Sequence, residues 1–217
     1  MSSSTAQTLY PSADYVESYS ADPSQVALAR RASKDLGIEA VSPATSQILT
    51  MLAKLVGAKA VVEVGTGAGV SSLAFFAGMP DDGVLTSLDV EAGHHLAARE
   101  SFKAAGIAHT RFRLITGEAL NLLPKLRAGA YDIVFIDADL LEYPEYLEDG
   151  LRIVRGGGLV ILYHALLAGK VADDTNFDDE TMLMRDTLEA ARQITGLTVS
   201  LIPVGDGLLV CTTAPES

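Results

Sequence analysis

Along most of this chain, short apolar runs alternate with stretches of helical spacing, and that alternation predicts the architecture. Residues 60–64, 84–88, 111–115, 133–136 and 159–162 are runs of strand length in which apolar side chains dominate or alternate. Between them, residues 70–78, 92–105, 119–126 and 144–154 repeat apolar side chains at the three- and four-residue intervals of a helix with one buried face. Strand and helix in regular alternation predict an α/β fold, a mostly parallel sheet with right-handed crossovers and helices on both faces. The end of the chain breaks the pattern. After a helical stretch over 181–194, the apolar runs 197–203 and 207–212 are separated only by Val204, Gly205 and Asp206. That is a hairpin signal, so the last strand is expected to run antiparallel to the rest.

Before the first strand, residues 24–36 and 42–56 read as helices, the second with Pro43 in its first turn, where proline is well tolerated. Tyr10, Tyr15 and Tyr19 recur in a weakly periodic segment, which fits ordinary packing better than a substrate entrance or a partner interface. No repeat or linker divides the chain, so residues 1–217 are expected to form a single domain with a helical N-terminal segment, 1–57, and a core, 58–214. Its 217 residues, 48% of them hydrophobic, suffice for one sizeable core.

Charge then narrows the partners. Lys and Arg number 16 against 28 Asp and Glu, a formal charge of −12, which repels a polyanion and argues against nucleic acid. The single cysteine, Cys211, excludes an internal disulfide and a Cys-rich zinc site, and its apolar run reads as a buried strand. The polar start, Met1 to Thr5, has neither a basic nor an apolar leader region, and no run approaches the ~18 apolar residues of a membrane span. No membrane association and a cytoplasmic location are expected.

Candidate chemistry gathers where the predicted strands end. Glu63, Val64, Gly65, Thr66, Gly67, Ala68 and Gly69 place an acid and three alternate glycines directly after the first strand. A dinucleotide loop wants glycine at its first, third and sixth positions, and counting from Gly65 the sixth is Val70. Alternate glycines instead bend the chain sharply and bring N–H groups near a ligand with a carboxylate and no phosphate, which favours S-adenosyl-L-methionine. Asp89 ends the second strand about 20 residues further on, where an acid can accept both ribose hydroxyls. Glu118 and Ala119 follow the third strand and are placed to face an adenine, although Glu118 fits a helix-start acid equally well.

Asp137 and Asp139 leave the fourth strand together, two residues apart and so on one face of an extended chain. A carboxylate there could hold a cation, accept a proton or stabilise a sulfonium. Tyr163 and His164 end the fifth strand at the same edge, and His164 is the histidine best placed for chemistry near neutral pH. His94, His95 and His109 read as surface residues, and the acids of 173–180 as a solvated helix start.

Taken together, Val41-Ser42-Pro43, the loop 63–69, Asp89, Gly117-Glu118-Ala119, Asp137-Ala138-Asp139, Gly157-Gly158-Leu159 and the stretch 201–208 resemble the S-adenosylmethionine-dependent O-methyltransferases of the catechol and caffeoyl-CoA type. The likeness runs from about residue 40 to 212 and is nearest in pattern to the actinobacterial members. It implies a Rossmann-like seven-stranded methyltransferase sheet, a homodimer and S-adenosyl-L-methionine as methyl donor. By motif, Val41, Glu63, Gly65, Thr66, Gly67, Ser71, Asp89, Val90, Glu118, Ala119 and Asp139 would surround the donor, with Asp137 facing the acceptor or its metal.

Two departures bear on mechanism. Metal-dependent members carry Asp-Ala-Asp-Lys and Asp-Asn where this chain has Asp137-Ala138-Asp139-Leu140 and Tyr163-His164. The resemblance therefore puts Leu140 in place of the family's base and replaces two of three metal ligands, a poor set for a hard cation that prefers oxygen. The expectation is methyl transfer to the hydroxyl of a small-molecule acceptor without the usual metal, with Asp137, His164 and Tyr163 as the catalytic candidates. A neutral His164 or an ionised Asp137 would take the proton. The alternatives are a non-catalytic, donor-binding dimeric regulatory module and an NAD-dependent oxidoreductase, the latter disfavoured by the missing sixth-position glycine.

Overall fold

The computed structural model describes residues 6–214, with side chains from Ser12 onward. Seven strands form one sheet in the order β3-β2-β1-β4-β5-β7-β6. They are β1 (Ala60–Val64), β2 (Val84–Asp89), β3 (Phe112–Thr116), β4 (Tyr131–Ile136), β5 (Val154–Leu162), β6 (Leu197–Ile202) and β7 (Leu208–Thr213). The first five pair in parallel, and β7 inserts antiparallel between β5 and β6. The hairpin and its antiparallel last strand are thus as expected.

The two-residue alternation of the strands divides the core. Val61, Leu85, Ile133, Phe135 and Ile161 point to one face and pack under α2 (Ser24–Asp35), α3 (Pro43–Leu55), α4 (Val70–Gly78) and α5 (Ala92–Ala104). Val62, Leu88, Val134, Ile136, Val160 and Cys211 point to the other, under α6 (Ala119–Leu122), α7 (Tyr143–Ile153) and α8 (Asp179–Gln193). Both faces are covered, which is why the central strands read as nearly continuous apolar runs. Asp178 caps α8 by accepting the Thr181 N–H at 2.8 Å, the solvated helix start expected of that acidic stretch.

Three elements depart from the sequence pattern. A further helix, α1 (Ala6–Tyr19), precedes α2. It is fastened by Glu17, whose carboxylate accepts the Ser42 hydroxyl at 2.7 Å and the Ala44 N–H at 3.0 Å at the start of α3. On it, Tyr15 and Tyr19 stack on each other in solvent, while the Tyr10 side chain lies outside the described residues. The helix of 119–126 is only one turn of α6 before Pro124 tightens it to a 3-10 turn. β5 starts at Val154 rather than 159, its glycine-rich first half absorbing a register shift against β4.

Candidate active site

The parallel strands β1, β2, β3 and β4 deliver their C-terminal ends to one edge, and the chain between β1 and α4 is shaped by contact there. Gly65 has φ 91°, and a Cβ on it would lie 1.8 Å from the carbonyl oxygen of Asp137. The first glycine is therefore demanded by the close approach of the β1 and β4 ends. Gly69, at φ 88°, sits where a Cβ would meet the Phe102 ring at 2.7 Å.

Beneath the loop runs a buried polar network. Glu63 is fully buried and accepts hydroxyls from Ser71 at 2.6 Å, Ser72 at 2.5 Å and Ser87 at 2.6 Å. Burial raises its carboxyl to about 7, the serine donors offsetting part of that effect. Ser87 also meets the Thr66 hydroxyl at 2.6 Å. His95 closes the chain, one ring nitrogen 3.0 Å from Thr66 Oγ1 and the other 3.0 Å from Thr116 Oγ1. Burial holds His95 below its ordinary value.

Asp89 ties the loop from the end of β2. Its Oδ2 accepts the N–H groups of Thr66 at 2.9 Å and Gly67 at 3.2 Å, its Oδ1 accepts that of Glu91 at 2.9 Å, and His94 Nδ1 lies 3.0 Å from Oδ2. Around these groups opens a cavity of about 440 Å³, within the range that small ligands occupy. Six carboxylates line it, from Glu39, Asp89, Glu118, Asp137, Asp139 and Glu142, and among the described residues that line it none is Lys or Arg. Such a lining suits a cationic ligand and opposes a diphosphate.

A second cavity of about 310 Å³ abuts the first, lined by Asp137, Ala138, Leu140, His164, Leu167, Ala168, Lys170 and Asp206. Asp137 and Ala138 belong to both cavities, so Asp137 stands at their junction, its carboxyl facing His164 of the second. His164 Nε2 is 3.3 Å from Asp137 Oδ1, and its Nδ1 is 2.7 Å from Asp206 Oδ2. Burial works against charge on this ring, but the two carboxylates outweigh it and push His164 up to about 10.

Comparison with known proteins gives the family. Residues 18–214 match the O-methyltransferase family. A Mycobacterium tuberculosis relative, named a probable O-methyltransferase, is 45% identical over 181 residues, 83% of this chain and 81% of its own. The chain belongs to the O-methyltransferase family. Among solved structures, a Corynebacterium glutamicum protein superposes with a TM-score of 0.87 at 32% identity, covering 94% of this chain and 95% of its own. TomG, an O-methyltransferase of Streptomyces achromogenes involved in tomaymycin synthesis and crystallised with SAM, gives 0.84 at 27% identity, covering 94% and 96%.

Within this O-methyltransferase, the first cavity gathers Val41, Gly65, Thr66, Gly67, Ser71, Asp89, Val90, Glu118, Ala119, Asp137 and Asp139. Glu63 does not reach it, because its carboxylate is spent inward on the three serines. Asp139 also caps the turn after β4 through the Leu141 N–H at 3.0 Å, so capping and lining coexist. Tyr163 lines neither cavity. It is buried, burial raises its hydroxyl to about 12, and that oxygen accepts the Asp206 N–H at 3.4 Å.

His164 lies between two carboxylates that favour its protonated form, an arrangement that weighs against the neutral-His164 alternative and toward Asp137. His109 is exposed as expected, but His94 lines the cavity and His95 is buried, against the expectation of surface positions for all three. His94, Glu39 and Glu142 in the first cavity and Asp206 in the second are lining residues that sequence reasoning missed. The spacing of His94 five residues after the ribose-type acid was an available signal for the first of these.

Proposed function

We propose that this O-methyltransferase moves a methyl group from S-adenosyl-L-methionine to a hydroxyl oxygen of a small-molecule acceptor, without a divalent metal. The observation that carries the reading is Asp137, which lies where an anionic donor-sized cavity meets a second, part-apolar one. When bound, the donor supplies an electrophilic methyl on a sulfonium and departs as a neutral thioether. The six carboxylates of the first cavity suit that sulfonium and its ammonium group. Asp89, facing the loop amides, is the group for the ribose hydroxyls; Glu118, Ala119 and Val90 flank the adenine; and Val41, Ser71 and Asp139 take the amino-acid end.

In the second cavity, Leu140, Leu167 and Ala168 offer an apolar wall for the body of the acceptor, which orients its hydroxyl toward Asp137. Asp137 takes the hydroxyl proton as the oxygen–methyl bond forms. A phenol ionises near ~10, so the proton must leave during transfer rather than before it. His164, charged beside Asp137, holds the carboxylate in place and is not itself the base.

Support for the metal-free reading comes from the donor set. Both His164 nitrogens are engaged with carboxylates, which favour protons on them over a bound cation, while Tyr163 is turned away. Asp137 alone of the family's three ligand positions remains, and its Oδ1 is already paired. These residues do not fit a divalent ion. A homodimer and a cytoplasmic location belong to the same proposal. Tyr15, Tyr19, Met51 and Leu55 leave apolar surface on the N-terminal helices of one chain, and sedimentation would test the dimer. Among the described residues, no helix is long and apolar enough to cross a membrane.

The test is calorimetric titration with S-adenosylmethionine, then S-adenosylhomocysteine release on a panel of phenols with and without EDTA. Donor binding, turnover on at least one acceptor and indifference to EDTA are expected. Asp137→Asn should lower turnover about 10²–10⁴-fold, the usual share of a general base, with donor affinity kept within a few-fold. Turnover abolished by EDTA and restored by Mg²⁺ would refute the metal-free reading.

A further inference from the structure

The turn between β6 and β7 is more than a hairpin connection. Asp206 reaches from it into the second cavity, where Oδ2 meets His164 Nδ1 at 2.7 Å and Oδ1 accepts the Ala168 N–H at 2.5 Å. Its own carbonyl accepts the Leu166 N–H at 2.9 Å, and the Gly207 carbonyl that of Ala165 at 3.2 Å. The glycines on either side make this approach possible. A Cβ on Gly207 would lie 2.5 Å from Leu166, and one on Gly205 2.9 Å from the Tyr163 hydroxyl.

What the turn grips is a strained segment. His164, Leu167 and Ala168 have φ of 57°, 47° and 52°, a left-handed conformation that side chains other than glycine rarely adopt and that surrounding structure must hold. The same three residues form a wall of the second cavity. Beyond His164 stands Asp137, so a continuous line of contacts runs Asp206, His164, Asp137.

We propose that Asp206 is a positioning residue for methyl transfer, fixing Asp137 through His164 and the acceptor-cavity wall through the Ala168 amide. This rests on the reading of Asp137 as the proton acceptor. The two tasks separate chemically. An Asn at 206 still offers a carbonyl oxygen to Ala168 but can turn an N–H₂ toward His164, so it keeps the wall and loses the carboxylate. An Ala loses both.

Steady-state kinetics on the best acceptor, with donor affinity measured by calorimetry, tests the proposal. Asp206→Asn should lower kcat tenfold or more with acceptor KM within about twofold, whereas Asp206→Ala should also raise KM. Donor Kd should stay within about twofold in both, because Asp206 does not line the donor cavity. In a His164→Gln background the Asp206→Asn step should change kcat less than twofold, since the line of contacts is already cut. A wild-type kcat for Asp206→Asn, or an equal loss in both backgrounds, would overturn the proposal.

Amide hydrogen exchange over 164–169 gives a readout independent of turnover. Asp206→Ala should accelerate exchange at Ala168 at least tenfold, and unchanged protection would overturn the pin whether or not an acceptor is found. A wild-type chain that binds the donor but methylates nothing would instead sink the proposed function.

Discussion

Replacing Glu63 with Gln should make the protein more stable relative to wild type as pH rises, the opposite of what loss of three hydrogen bonds to a carboxylate would suggest. Burial raises this carboxyl from 4.5 to about 7 in the folded chain, so between those values the folded state holds a proton that the unfolded state has released. A group whose folded value is raised contributes stability that is fully present below its unfolded value and is lost as pH climbs through the folded one. At about 1.4 kcal/mol per pH unit, ionising Glu63 therefore costs the fold about 3 kcal/mol by pH 8.

Gln escapes that cost. Its oxygen can accept from two of the three serines and its N–H₂ can donate to the third, because serine hydroxyls rotate. The other titrating groups, His95 included, are common to both proteins and cancel in the difference. Urea unfolding of wild type and Glu63→Gln at pH 5, 6, 7 and 8 measures it. The difference in unfolding free energy should move by about 2–3 kcal/mol toward the variant across that range. Parallel pH dependences, with the difference constant to about 0.5 kcal/mol, would refute the assignment of Glu63 as a buried acid held against its desolvation.

His164 should behave in the complementary pH window. Its stabilising charge is fully present below 6.5 and lost as pH rises through about 10, so nitrogen NMR should show a charged imidazolium at pH 8. A neutral ring at that pH would refute the two-carboxylate reading. Gly65→Ala forces a Cβ to 1.8 Å from the Asp137 carbonyl oxygen at φ 91°, so unfolding should become easier by about 3 kcal/mol or more, with donor binding lost. Wild-type calorimetry for that variant would contradict it. Asp89→Asn weakens charge-assisted contacts to the loop amides and the ribose, so donor affinity should fall about 10–100-fold while kcat at saturating donor is kept. A reduced kcat with unchanged affinity would move Asp89 out of the donor site.

The legibility of this chain followed the range of the interactions involved. β1 and α4 were readable to the residue because an apolar run, three glycines and a helical pattern are all local signals. The first cavity, proposed for the donor, was readable because its parts leave successive strand ends that parallel pairing brings to one edge. His95 was misread because its helix position looks solvent-facing until Thr66 and Thr116 close over it, partners 29 and 21 residues away. α1 has only weak periodicity of its own, and Glu17 fastens it to the start of α3. The protonation of His164 was the least legible. Its two carboxylates lie on β4's end and on the last hairpin, the latter 42 residues downstream, and no spacing rule joins them. Residue type marked His164 as chemically able, yet its environment reverses the role that type suggests. Near neutral pH a lone histidine can act as a base, whereas Asp137 and Asp206 favour the charged form of this one. On the proposed mechanism the proton-accepting task then falls to Asp137, the other candidate.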